Sequence, residues 1–363
     1  MQVHPSQLVP GCIITKDIIG KTGRPIIPNR TVVYPIHIRV LEQFLVEEVE
    51  VADKLSDGTL FTPRSTDSEE ENPVSKEPPV AELPPFYENY LEAVQSYKRW
   101  FKVWQHGDPV DLLALRKVMV PLLEEAVESG KDVFKLHHYS SSGEYLYHHN
   151  VAMGLISAYL AEKMGYKYGE WIQIGLAATL CDAGMSQIDP TIIWKEGSIL
   201  ESEYAEIKKH PLISFQYVES TPYLSKSVKL AILQHHERLD GSGYPIGLKA
   251  DKIHPFSQII AVSDIYHAMT CERIYRVKQS PYKALEEILQ KQFGRYDHRV
   301  IQVMVKELTD YSIGTKVRLS NKQTAEVMFV DQSQPTRPMV RLEEGSIFQL
   351  KEQRHLHIEE VIG

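Results

Sequence analysis

At 363 residues with 43% apolar side chains, the chain is long enough for two or three domains with ordinary cores. A formal net charge of −8 speaks against wide contact with extended nucleic acid, which needs clustered Lys and Arg, although a few arginines and a metal can still favour a small phosphate ligand. No apolar run approaches the roughly 18 residues of a spanning helix, MQVHPSQLVPG does not read as a signal peptide, and Cys12, Cys181 and Cys271 are too few and scattered for a disulfide framework; a soluble, cytoplasmic protein is expected.

Residues 1–52 read as a small α+β module. Val9-Pro10-Gly11 makes a turn, Cys12-Ile13-Ile14 and Pro25-Ile26-Ile27 make short strands, and Ile36, Val40, Leu41 and Phe44 recur at helical spacing. Val46 to Val51 alternates with acids as an edge strand does. Residues 53–85 are an acidic, Pro-rich linker that cannot bury enough apolar surface to offset its ordering entropy. Residues 86–308 read as one all-helical domain, with helices over Tyr87–Gln105, Pro109–Glu128, Ser202–His210, Ser225–His236, Gln258–Thr270 and Pro281–Phe293. Between the second and third, Met153, Ile156, Leu160 and Met164 share one helix face, and Ile172, Leu176 and Leu180 another. Residues 309–363 alternate as short strands, for which a small β-barrel-like module is the simplest account. The fold class is therefore mainly α, with a small module at each end.

The polar residues that interrupt the helical faces carry the chemistry. In HHERLDGSGYP, His235 and His236 end a helix and a Gly-rich turn follows. Adjacent histidines alone are weak evidence, and His137-His138 and His148-His149 serve as internal controls. Side chains of consecutive helical residues point about 100° apart, so two close ions, or one ion at a distorted helix end, suit them better than one ion on a regular helix. Asp264 lies inside the apolar run IIAVSDI, where an acid is costly unless it is paired or faces a cation. His149, Asp182 and His210 interrupt helix ends in the same way. Mixed histidine and carboxylate ligation suits iron, manganese, cobalt or zinc.

The order of these residues resembles the HD-GYP branch of the HD phosphohydrolases, associated with hydrolysis of cyclic di-GMP. HHERLDGSGYP and SDIYHAMTCERIYR carry the resemblance most specifically, and it runs from about Tyr147 through Tyr296. It implies one or two divalent ions, with His149 as the opening ligand, Asp182 bridging as the catalytic acid, His210, His235 and His236 around the second ion, and Asp264 returning to the first. It further implies that Tyr244 sits against the nucleotide and that Arg273 and Arg276 face its phosphates, a role suited to the planar guanidinium. Three positions depart from the pattern. The family's signature His is Cys181, which stands as a substitute metal ligand; the following Lys is Met185; and the Glu that accompanies a third metal is Tyr145, so no third ion is expected. The expected function is a metal-dependent cyclic di-GMP phosphodiesterase homologue with hydrolysis weakened or lost. The alternative is a non-catalytic receptor for cyclic di-GMP or a related small nucleotide, or a signalling scaffold, with a protein partner or a second copy of the chain engaged through the terminal modules.

Overall fold

The computed structural model describes residues 1–19, 25–34, 37–38, 41, 46, 48–56, 59–63, 83–140, 143–195, 197–272, 278–291 and 294–362. The chain divides into two units, Met1–Val80 and Ala81–Gly363. In the first, strand β1 (Gln2–Val3) pairs antiparallel with β4 (Val49–Glu50), and β2 (Ile18–Ile19) with β3 (Pro25–Ile27). Ile13 and Ile14 make isolated bridges to Val32 and Val51 instead of a regular strand. Cys12, Ile14, Val33, Leu41 and Val51 form the core of this unit. Of the apolar helical set proposed there, Ile36, Val40 and Phe44 lie outside the described residues.

The second unit is helical until residue 308. Helix α1 spans Pro85–Gln105 and α2 spans Leu112–Ser129. The expected start of α2 at Pro109 is too early, because the Asp111 carboxylate caps the helix by accepting from the backbone N–H of Leu113 and Ala114, both at 3.0 Å. Helix α3 (Tyr145–Lys163) is buried on every side from Leu146 to Ala161, beyond the single face read from the sequence. It packs against α1, α2, α4 (Tyr168–Leu180) and α9 (Pro255–Thr270), so it is the axis of the domain. Between α4 and α9 come α5 (Pro190–Ile193), α6 (Glu201–Ile207), α7 (His210–Glu219) and α8 (Lys226–Gln234). The continuous helix expected over Ser202–His210 breaks at Lys208-Lys209, and Pro211 takes the first turn of α7, where its missing N–H costs nothing. Helices α10 (Pro281–Lys291) and α11 (His298–Leu308) complete the bundle.

The C-terminal strands β5 (Lys316–Leu319), β6 (Thr324–Phe329), β7 (Met339–Leu342), β8 (Ile347–Gln349) and β9 (Ile358–Val361) form one antiparallel sheet in the order β8-β7-β6-β5-β9. The sheet is open, with β8 and β9 at its edges, which corrects the barrel-like expectation. It belongs to the same unit as the helices: Tyr282 of α10 enters its core, and Arg337 pairs with Glu286 of α10 at 2.7 Å. Among the described residues no helix is long and apolar enough to cross a membrane, and the three cysteines are buried and form no disulfide there.

A 3-10 segment, Gly130–Tyr139, carries His137-His138 well apart in sequence from the motif histidines. His137 is buried and donates Nδ1–H to the carbonyl of Phe134 at 2.8 Å. Burial, reinforced by the charge of His138, pushes its pKa down to about 3. The unfolded chain therefore binds a proton that the folded chain refuses between pH 6.5 and about 3, so stability is intact above 6.5 and lost as pH falls. The expected loss is on the order of 3 kcal/mol at pH 4. Denaturant unfolding from pH 7.5 to 4.5 measures this slope, and His137→Phe is expected to flatten it; an equally steep slope in that variant contradicts the assignment.

Candidate metal centre

Five elements converge on one buried cluster. Helix α4 ends at Leu180, and the chain turns through Cys181 and Asp182 into a short 3-10 helix, Ala183–Gln187. That turn is clamped to α7 by Ser214, whose hydroxyl donates to the Cys181 carbonyl at 2.6 Å and accepts the Gly184 N–H at 2.8 Å. Gly184 is required here: a Cβ would lie 2.4 Å from the carbonyl oxygen of His210 and 2.7 Å from the nitrogen of Ser214. Asp182 is thereby held against His210, the first residue of α7. His235 and His236 follow the last residue of α8, His149 lies in the first turns of α3, and Asp264 lies in the middle of α9.

The distances divide the cluster into two overlapping groups. Asp182 Oδ1 lies 3.1 Å from His210 Nε2 and 3.3 Å from His235 Nε2, and those two nitrogens are 3.3 Å apart. The donor atoms of Asp182, His210, His235 and His236 all fall within 4.8 Å of one another. On the other side, His149 Nε2 is 3.3 Å from Asp264 Oδ1 and 3.9 Å from Asp182 Oδ2, while Asp264 Oδ2 is 3.4 Å from His236 Nδ1. The two oxygens of Asp182 thus face different groups.

The hydrogen-bond partners decide what this arrangement can hold. His210 donates Nδ1–H to the Ile207 carbonyl at 2.6 Å, and His235 donates Nδ1–H to the Ile232 carbonyl at 2.7 Å. In the neutral rings both Nε2 atoms then carry lone pairs, and these point at each other and at Asp182 Oδ1, a buried oxygen left without a hydrogen-bond donor. Burial pushes the Asp182 carboxyl up, but the hydrogen bonds and positive charge that His210 and His235 supply when protonated outweigh it and hold the acid well below its usual range, in the place that a cation's charge takes over. Asp264 is likewise raised by burial and lowered further by His149 and by the charge of His236. Burial first, then the positive charge of His235 when that ring is protonated, push His236 well down. Two buried anions and converging lone pairs suit a cation. Ligands adjacent around one ion with bonds of 2.0–2.2 Å stand about 3.0–3.5 Å apart, which is the spacing found.

Cys181 is buried outside the four-residue group; burial first, then the charges of Asp182 and Asp264, push its thiol well up. Met185 is half-buried against the helical core. Tyr145 stacks on the His149 ring at 5.1 Å, with its hydroxyl 3.1 Å from Nδ1. Arg273 and Arg276 lie outside the described residues. The control pairs divide: His149 joins the cluster while its neighbour His148 bonds the Tyr90 hydroxyl at 2.9 Å, and among the described residues His137 and His138 join no such group.

The loop after His236 is organised by a residue the sequence reading passed over. Glu237 is buried, and its carboxylate accepts N–H bonds from Ile246 (2.8 Å), Gly247 (3.1 Å) and Leu248 (2.8 Å). Gly243 lies so close beneath that a Cβ would sit 2.3 Å from the nitrogen of Arg238. The loop thereby holds the Tyr244 ring 4.7 Å from the His236 ring, with half-exposed Tyr204 of α6 edge-on at 6.4 Å and the Lys208 ammonium 5.0 Å from the Tyr204 ring centre. Glu237→Gln removes one acceptor oxygen, and hydrogen bonds to charged groups contribute about 1.5–3 kcal/mol. Amide exchange at Ile246, Gly247 and Leu248 is expected to accelerate by roughly 30-fold, which corresponds to about 2 kcal/mol; unchanged protection contradicts the role assigned to the carboxylate.

Residues 137–300 match the HD domain family. Cyclic di-GMP phosphodiesterase PdeB of Borreliella burgdorferi is 28% identical over 58% of this chain and 56% of its own length. Cyclic di-GMP phosphodiesterase PA4108 of Pseudomonas aeruginosa is 30% identical over 52% of this chain and 45% of its own. The chain spans about half the length of the curated relatives it matches. Bd1817, a HDG"Y"P protein from Bdellovibrio bacteriovorus, shares the fold with a TM-score of 0.52 at 14% identity, covering 84% of this chain and 97% of that protein. Residues 137–300 thus carry an HD domain, and with HHERLDGSGYP in the loop beside the cluster the chain is similar to the HD-GYP phosphodiesterases.

Proposed function

We propose that this chain binds cyclic di-GMP at a divalent metal centre built from His149, Asp182, His210, His235, His236 and Asp264, and that it hydrolyses the phosphodiester slowly. The observation that carries the reading is the convergence of the His210 and His235 lone pairs on the donorless Oδ1 of buried Asp182. Iron, manganese, cobalt or zinc suits these donors. Such ions supply Lewis acidity toward the phosphodiester oxygens. The residues themselves hold charge and orient the substrate. Asp182 and Asp264 are the anions that retain the ions, Asp182 facing both groups. Tyr244, with Tyr204 beyond it, offers a stacking wall for a nucleobase. Arg273 and Arg276 meet the phosphates, as the family resemblance implies. The terminal modules, which carry none of these residues, are where a protein partner or a second copy docks.

Slow turnover follows from Met185 and Cys181. Met185 brings no charge to the phosphodiester where relatives are expected to have a Lys, and one such cationic contact is worth roughly 3–4 kcal/mol in related chemistry. Burial pushes the Cys181 thiol up, and a thiol in place of the family's His favours a receptor as the second reading. Met185→Lys, alone and with Cys181→His, is the test. Hydrolysis to the linear dinucleotide is expected to rise about 100- to 1,000-fold in the single variant and further in the double, with cyclic di-GMP affinity little changed. Tight binding with no hydrolysis in any variant makes the domain a receptor; no binding in any variant overturns the proposal.

A further inference from the structure

The two halves of the cluster are anchored differently. His210 and His235 are fixed by backbone carbonyls, whereas His149 is fixed by side chains. Its Nδ1 lies 3.0 Å from Nδ1 of His267, which stands one helical turn beyond Asp264 on α9; both rings are buried. Two ring nitrogens at that distance share one hydrogen, so one donates and the other accepts. His149 Nε2 faces Asp264 and Asp182, and it can offer its lone pair to an ion only when the hydrogen resides on Nδ1. His267 Nδ1, at 3.0 Å, and the Tyr145 hydroxyl, at 3.1 Å, are then the acceptors within reach, and His267 is the nearer, in a place where metal-bound histidines usually meet a carboxylate or a backbone carbonyl. The sulfur of Cys271 lies 3.5 and 3.4 Å from the two ring nitrogens of His267 and packs beside the acceptor.

We propose that His267 is a positioning residue that holds His149 in the Nδ1–H tautomer and thereby sets the affinity of the metal position formed by His149, Asp182 and Asp264. The position formed by Asp182, His210, His235 and His236 is independent of it. The proposal rests on the metal-centre reading above and adds an ordering: one tight ion, and one weaker ion governed by a neutral imidazole. The test is titration of the metal-free full chain with cobalt(II), read by competition and by the cobalt absorption spectrum. The wild type is expected to give two classes of site. His267→Leu, which fills the space without an acceptor, is expected to weaken the second class by roughly 10- to 100-fold and leave the first unchanged. His267→Asn, whose Oδ1 accepts near the same point, is expected to restore most of the loss. Two wild-type classes in the Leu variant overturn the proposal while leaving the metal centre standing. If the Leu variant does not fold, the Asn variant decides: a folded protein that lacks the second class overturns the proposal, and one that keeps it supports it. A wild type that takes up no cobalt overturns both.

Discussion

Asp182→Asn is expected to leave a folded protein without its metal. Asp182 is the residue common to both groups, with Oδ1 near His210 and His235 and Oδ2 toward His149. An amide removes the buried negative charge and replaces one lone-pair oxygen with an N–H donor. That donor satisfies an imidazole Nε2, which suits the empty protein and opposes an ion. Partners one layer outside a metal site already contribute roughly 10–100-fold to affinity, so loss of the shared carboxylate is expected to cost more than about 100-fold. The stability signature lies in the response to metal. With saturating metal the wild type gains stability through binding and the variant does not. Metal analysis and paired melting curves measure both, and a variant with wild-type metal content contradicts the shared role of Asp182.

The second large effect is expected at Gly184. A methyl group there meets the His210 carbonyl at 2.4 Å, the Ser214 nitrogen at 2.7 Å and the Ile213 Cβ at 2.9 Å. Two of these are backbone atoms of α7 and cannot move aside as a flexible side chain does. Gly184→Ala is therefore expected to lift the 3-10 turn away from α7 at a cost of about 3 kcal/mol or more. Because the same turn carries Asp182, metal affinity falls with stability. Gly169→Ala is the control: its Cβ meets nothing, it lies exposed in α4, and alanine favours a helix by up to about 1 kcal/mol. Thermal unfolding of the two metal-free variants separates them. Equal behaviour contradicts the close approach as the reason for glycine.

Much of this was legible because apolar spacing and costly polar residues are local signals. Asp264 stood out as an acid within an apolar run, and the structure gives it His149 and His236 as neighbours. The awkwardness of His235 and His236 on one regular helix is resolved by the end of α8 at Gln234. What escaped depends on contacts distant in sequence. Nothing beside Glu237 reveals that three N–H groups some ten residues later will converge on it. His267 lay at helical spacing from Asp264, but its use depends on α3 lying alongside α9. Tyr145 read as a missing acid, and the fold makes it a neighbour of His149. The strands at the C-terminus were legible individually, whereas whether they close into a barrel depends on pairing order, which alternation does not encode.

The central claim is that the His and Asp cluster is a metal centre. It is tested most directly by the metal content of the protein purified without chelators and then equilibrated with manganese(II) or cobalt(II). The account predicts at least one tightly held ion per chain and a second that is taken up more weakly, both lost in Asp182→Asn. A folded protein that emerges metal-free and takes up neither ion contradicts it.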